Sequence, residues 1–427
     1  MHLHLRVPAL ALSALLVLTA CGPGNNPGGS AAPAGATTAP AAATTAPAAA
    51  AASPAPATAS PPAAAAASPG AGASPAAAGA SPSAPVVSIT GPLSGEAQNL
   101  TGAGSTLAAP LYTKWFDVYK GVTGVQVNYQ PIGSGGGIQA IQGQTVDFGA
   151  SDAPMSNDQM AQAKGGPIFH IPTALGAVTL TYNLPNVTGQ LKLTGDDIAQ
   201  IYLGNISKWN DAKLVADNPQ LADVNQDIIT VHRSDGSGTT FTFTDYLSQV
   251  SPDFKSQVGS GTAVNWPGGL GGNGSAGVTG QIQQTTYSIG YVELNYTLQN
   301  KLPYALVKNQ AGNFVDASKL EGITAALANS APNVPPDLRF DIVNAPGDTS
   351  YPISTGTWIL AYQNYTDQAK ALAIVRVLWW GIHDGQQYNE PLFYGTIPAQ
   401  INATSESFIR KMTVNGNPIF PTAVPGG

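Results

Sequence analysis

Ile228-Ile229-Thr230-Val231-His232-Arg233-Ser234-Asp235-Gly236-Ser237-Gly238-Thr239-Thr240-Phe241-Thr242-Phe243 runs from a β-branched stretch through a glycine- and serine-rich turn into a second apolar segment. Ile228 to Val231 has the composition of a strand, and the segment after Gly238 reads as the opening of a helix. Strand, glycine turn and helix in succession form the unit of α/β folds, whose ligands sit beyond the carboxyl ends of the strands. In such a turn the glycines let the backbone approach a ligand closely and Ser and Thr offer hydroxyl donors. The helix N-terminus adds unpaired N–H groups that favour an anion. Arg233, at the strand end, can fork onto an oxyanion, and Asp235 can hold its guanidinium in place.

The same arrangement recurs outward from this stretch. Val125-Gln126-Val127-Asn128-Tyr129 alternates as a strand and is followed by Gly133-Ser134-Gly135-Gly136-Gly137, with a helix expected from Ile138 to Gln142. Gly102-Ala103-Gly104-Ser105-Thr106-Leu107 precedes a helix starting near Pro110 and carrying Tyr112, Trp115, Phe116 and Tyr119. Val178 to Tyr182 is a further strand, Thr194-Gly195-Asp196-Asp197 an N-cap, and Ala369 to Trp380 a helix ended by Gly381. One Gly/Ser loop is weak support for anion binding, because such loops cap helices in every fold; three in one chain point to an anion. Asp147-Phe148-Gly149-Ala150-Ser151-Asp152 is strand-like and leads into Ala153-Pro154. A carboxylate at Asp152 fits an anion site if the anion carries a proton, which the carboxylate can accept as a hydrogen bond.

The N-terminal part is of another kind. Arg6, an apolar run from Val7 through Leu18, and Leu18-Thr19-Ala20-Cys21 have the layout of a secretory signal over residues 1–20. The run is too short to cross a bilayer as a helix. Leu-Thr-Ala-Cys resembles the lipobox of bacterial lipoproteins, which implies lipid attachment at Cys21. That is the only cysteine, so neither an intramolecular disulfide nor a cysteine-based zinc site is possible. Residues 21–98 are expected to form a disordered Ala/Pro/Ser/Thr linker, a stalk. After Arg6 no charged residue occurs before Glu96, and such a tract cannot bury enough apolar surface to offset its ordering entropy. The whole chain carries a net charge of −7 and the part beyond Arg6 is more negative still, which argues against nucleic acid as a partner.

Beyond these readings the chain resembles the periplasmic phosphate-binding proteins of ABC importers. The resemblance rests on Thr101 to Thr106 with Pro110-Leu111-Tyr112 and Lys114-Trp115, on Asn128-Tyr129 with Gly133-Ser134 and Gly136-Gly137, and on Asp147 to Pro154. It continues through Arg233 with Asp235 to Thr239, Ser288 to Glu293, and Tyr351 to Ser354. It implies an α/β, two-lobed periplasmic-binding-protein fold with a hinge and the ligand in the interlobe cleft. Residues 99–173 with 350–427 would form lobe I, and 174–349 lobe II. It implies that Thr106 donates a hydroxyl, Leu107 a backbone N–H, and Ser134 both. Asp152 would be the acceptor and Arg233 the cationic fork oriented by Asp235, with Ser237, Gly238 and Thr239 completing the cage. No metal, cofactor or catalysis is implied. The implied partners are inorganic phosphate and membrane permease subunits, the protein being a monomer tethered through Cys21 to the outer face of the cytoplasmic membrane. The sequence departs from the family at Leu107, where an aromatic is usual, at Gly135, where Ser is frequent, and at Asn273, where Lys is common.

Three other readings stay open at this point. The chain could bind sulfate or molybdate instead, or be an extracellular sensor or adhesin module. It could also be a hydrolase with Ser237 as nucleophile, which needs a histidine base. His170 lies in an apolar run, His232 should point to the opposite face from Arg233, and His383 reads as a loop residue.

Overall fold

Strand Asn99–Gly104 (β1) runs parallel to Gln126–Gln130 (β2) on one side and to Phe148–Ser151 (β3) on the other. This is the start of an eight-stranded sheet in a computed structural model that describes residues 87–427. The predicted signal, Cys21 and the linker up to residue 86 lie outside the described residues. Ile168–Asn183 (β4), Ile229–Arg233 (β5), Leu270–Gly272 (β6), Ser288–Glu293 (β7) and Ser354–Tyr362 (β8) complete the sheet, in the order β2-β1-β3-β8-β4-β7-β5-β6. The three strands at each end are parallel to one another. The long central β4 pairs antiparallel with β8 from Ile168 to Ala177 and then with β7 from Val178 to Asn183. The sheet therefore consists of two parallel α/β halves joined through β4 and β8. Both joining strands are buried along nearly their whole length because both their faces are covered, and the threonines and serine within them are buried with the apolar residues.

Each half repeats the strand–turn–helix unit. Helix Ala109–Thr123 (α1) begins with Pro110 in its first turn and buries Tyr112, Trp115, Phe116 and Tyr119 on one face. Gly124, with φ of 80°, closes it in the left-handed region. Helix Ser134–Gln142 (α2) follows β2, helix Gly238–Val250 (α3) follows β5, and helix Gly274–Gln284 (α4) follows β6. Helix Gln368–Ile382 (α5) follows β8 and is buried along most of its length.

Three local expectations are corrected. α2 starts at Ser134 rather than Ile138, so Gly135, Gly136 and Gly137 are helical. Their role is close approach: a β-carbon on Gly137 would lie 2.5 Å from the Ala150 carbonyl and 2.6 Å from Gly104 Cα. Gly381 does not end the last helix but sits inside it, where a β-carbon would lie 2.7 Å from the Trp115 ring. Residues 87–98, read above as linker, lie against α5. The Trp379 indole donates to the Val87 carbonyl (2.8 Å), Arg376 bonds the Gly91 carbonyl, and Arg376 Nε pairs with Glu96 Oε2 at 2.9 Å in the interior.

No helix among the described residues is long and apolar enough to cross a membrane. An apolar groove of about 430 Å³, lined by Leu327, Val334, Pro335, Leu338 and Ile401 among others, contains no titratable group.

Candidate functional site

The carboxyl ends of β1, β3, β5 and β7 and the N-termini of α1, α2, α3 and α4 converge on one place, and each delivers polar groups there. Beyond β1, Ser105 Oγ accepts from the Ala108 N–H (2.9 Å) and donates to Asp152 Oδ1 (2.5 Å). At the start of α2, Ser134 Oγ donates to Asp152 Oδ2 and accepts from the Asp152 N–H, both at 3.1 Å. Asp152, directly beyond β3, is fully enclosed. Burial pushes its carboxyl up to about 6, against the hydroxyls of Ser105, Thr357 and Ser134, which favour the ionised form; the nearby Glu293 charge adds to the rise. The two hydroxyls within bonding geometry, Ser105 and Ser134, do not exhaust an ionised carboxylate, which can accept about four hydrogen bonds.

Arg233 supplies the positive charge from the end of β5, with its side chain 2 % exposed. Its Nε donates to Asp235 Oδ1 at 2.7 Å and Nη2 to Oδ2 at 2.5 Å, a two-pronged bond that leaves Nη1 pointing elsewhere. Nη1 reaches Thr239 Oγ1 at 3.3 Å and Ser275 Oγ at 3.5 Å. Burial works against the Arg233 charge, but Asp235 and Glu293 outweigh it and hold the guanidinium protonated. Burial alone would also raise Asp235, yet the bond from Arg233 keeps its carboxyl below the ordinary range, and the Gly274 N–H (2.9 Å) fixes it further.

Ser237 caps α3 by accepting from the Thr240 N–H at 3.1 Å, and its own proton has no acceptor among the described residues. Gly238 and Thr239 open that helix, where backbone N–H groups lack intrahelical partners. Gly238 is pressed against the opposite half: a β-carbon there would lie 2.6 Å from both Asp152 Cβ and Ser134 Oγ. The Gly135 N–H donates to the Gly236 carbonyl (2.9 Å), and Thr106 Oγ1 meets Ser275 Oγ at 2.6 Å. Tyr296 donates to the Thr106 carbonyl (3.2 Å) and Tyr394 to the Leu107 carbonyl (2.6 Å). Thr106, Leu107, Ser134, Asp152, Arg233, Asp235, Ser237, Gly238 and Thr239 are thus all brought to one closed junction between the sheet halves.

Three members of this junction were not among the residues singled out from the sequence: Ser105, Ser275 and Glu293. Ser105 stands inside the loop Gly102 to Leu107, where the adjacent Thr106 offers a hydroxyl of the same kind. Ser275 follows the departure at Asn273. Glu293 ends β7 and is buried, accepting from Thr239 Oγ1 at 2.5 Å and Ser275 Oγ at 3.0 Å.

The histidines stand apart from Ser237. His170 is buried and accepts from the Met155 N–H (3.0 Å), and burial pulls its imidazole down to about 3. His232 stacks on Trp266 with ring centroids 5.3 Å apart. His383 bonds Glu406 at 3.1 Å. No group of acidic, histidine or cysteine side chains among the described residues could hold a metal ion.

The arrangement can enclose a small tetrahedral anion with one cation, several hydroxyls and helix N-termini, while setting a carboxylate acceptor against it. Comparison with known proteins agrees with that chemistry. A family model described as the PBP superfamily domain matches residues 37–374. The phosphate-binding protein PstS of Xylella fastidiosa is 43 % identical over 310 residues, which cover 72 % of this chain and 84 % of that protein. The phosphate-binding protein PstS of Haemophilus influenzae is 43 % identical over 314 residues, 73 % of this chain and 92 % of its own. Among solved structures, the phosphate-binding protein of Stenotrophomonas maltophilia superposes with a TM-score of 0.57 at 19 % identity, covering 77 % of this chain and 99 % of that one. The last likeness speaks to the fold alone.

Proposed function

From the premise that the chain belongs to the PBP superfamily, among the phosphate-binding proteins, we propose that it captures inorganic phosphate outside the cytoplasm for an ABC-type importer and catalyses nothing. The observation that carries the reading is Asp152 facing the Arg233–Thr239 loop across the junction. An enclosed carboxylate acceptor beside an anion site is useful only for an anion that brings a proton, and phosphate does so near neutral pH. Ser134 and Asp152 on one side, with Arg233, Ser237, Gly238 and Thr239 on the other, supply donors from both halves. A ligand touching both halves stabilises their closed arrangement by its differential affinity.

Residues 99–173 with 350–427 form one lobe in this reading and 174–349 the other, with β4 and β8 as the connection between them. Thr106 contributes its hydroxyl and Leu107 its N–H. Cys21 carries a lipid that holds a monomeric protein on the outer face of the cytoplasmic membrane, close to the permease that receives the phosphate. Changing Cys21→Ser should then move the protein from the membrane fraction to the soluble one, and continued membrane retention would place the anchor elsewhere.

Calorimetric titration of the protein, freed of co-purified phosphate, tests the ligand assignment. One phosphate per chain, displaced by arsenate, is the expected result. Binding of sulfate or molybdate without phosphate would transfer the site to another oxyanion.

A further inference from the structure

Glu293 is a second enclosed carboxylate at this junction, and among the described residues no cation bonds it directly. Its side chain is buried at the end of β7, next to β5 in the sheet. Oε1 takes the protons of two hydroxyls, Thr239 Oγ1 at 2.5 Å and Ser275 Oγ at 3.0 Å. Oε2 is buried and has no hydrogen-bond partner among the described residues. Both hydroxyls in turn accept from Arg233 Nη1, the one arm of the guanidinium that Asp235 does not occupy. Glu293 therefore receives from the second half what an anion in the cleft would need: a hydroxyl proton from Thr239 and the field of the free arm of Arg233.

We propose that Glu293 is a positioning residue that limits the affinity of the site, a built-in carboxylate competing with the bound anion for Thr239 and Arg233. The proposal rests on the phosphate reading given above. A hydroxyl has one proton to donate. For Thr239 to bond an anion it must release Glu293, which is left with Ser275 alone in a buried place where an under-bonded charge is costly. The anion also enters a site in which Glu293 adds a like charge to that of Asp152, with little water to screen either. Both effects oppose retention of the ligand, and both vanish if the carboxylate is made neutral. A residue whose role is to aim hydroxyls at the anion would behave in the opposite way.

Phosphate titrations of the wild-type protein and of Glu293→Gln, with melting curves for each, separate these roles. The amide keeps the shape and an acceptor oxygen while removing the charge. Phosphate affinity should rise roughly tenfold or more in Glu293→Gln. Weaker binding would show that Glu293 orients donors, unchanged binding that it serves only the fold, and either overturns the proposal. If Glu293→Gln does not fold, Glu293→Asp draws the carboxylate back from Thr239 and Ser275; it should tighten binding to a smaller degree, and no gain there overturns the proposal as well. A wild-type protein that binds no phosphate would instead sink the phosphate reading, and the proposal with it.

Discussion

Gly238 stands so close to Asp152 that a β-carbon on the glycine would fall 2.6 Å from Asp152 Cβ. The first residue of a helix in one sheet half thus rests directly on Asp152 and on the Ser134 hydroxyl of the other, and the contact exists only because the glycine lacks a side chain. Ala is a better helix former than Gly, so Gly238→Ala should leave α3 intact while holding the two halves apart. A melting temperature near that of the wild type, with phosphate affinity reduced by tenfold or more, is the expected pair of results (~1.4 kcal/mol per tenfold). Unchanged affinity would mean that the ligand does not need this closure.

Arg233 is predicted to carry most of the cationic attraction. Breaking a buried ion pair by removing one partner costs ~3–5 kcal/mol, and Arg233→Ala should weaken phosphate binding by roughly 10² to 10³. Arg233→Lys should recover little of this, since a lysine cannot grip both oxygens of Asp235 while sending a third donor towards Thr239. Full recovery with Lys would reduce Arg233 to a point charge.

Hydroxyl losses should be smaller and graded. Ser134→Ala and Thr239→Val each remove a hydrogen bond to a charged group, worth ~1–3 kcal/mol. Ser134→Ala also strips a donor from Asp152 (3.1 Å), so its effect should grow above pH 6, where that carboxylate is ionised. Equal, pH-independent losses in both variants would describe a loose anion patch rather than a built cage.

Most of this site was legible in the sequence because its parts are local. A glycine loop between a strand and a helix announces itself, and Arg233 with Asp235 is a pair two residues apart. Glu293 was not legible as a site residue, since a Glu closing a short strand reads as a solvated end. Only the sheet order, which sets β7 beside β5, puts it within reach of Thr239. The helical start at Ser134 was hidden for another reason. Three glycines in a first turn have poor helix propensity, and what overrides it is the close packing of Gly137 on Gly104 and of Gly135 on Gly236. The folded part was expected from Asn99, although Val87, Ile89 and Leu93 already break the Ala/Pro pattern. Their significance depends on Trp379 and Arg376, nearly three hundred residues away in the chain.

The Asp152 carboxyl, raised to about 6 by burial, predicts a pH-dependent selectivity. Above pH 6 the group is ionised and can only accept, so a fully ionised anion such as sulfate meets an oxygen that offers it nothing. As pH falls through about 6 the group gains a proton and becomes a donor. Sulfate should therefore begin to compete with phosphate near pH 5 while failing to do so at pH 8. Competition that does not change over this range would show that Asp152 does not face the anion.

The most direct measurement of the central claim is displacement of bound phosphate by sulfate at pH 8, in the wild-type protein and in Asp152→Asn. Sites built around a ligand's donor reject analogues lacking it by ~10⁴ or more, so millimolar sulfate should displace no measurable phosphate from the wild type, whereas arsenate, which is also protonated, should displace it. The amide of Asp152→Asn can turn its NH₂ towards a bare oxygen, and this variant should gain sulfate affinity by a larger factor than it loses phosphate affinity. Wild-type protein that binds sulfate as tightly as phosphate would contradict the account, removing Asp152 from the site and the phosphate assignment with it.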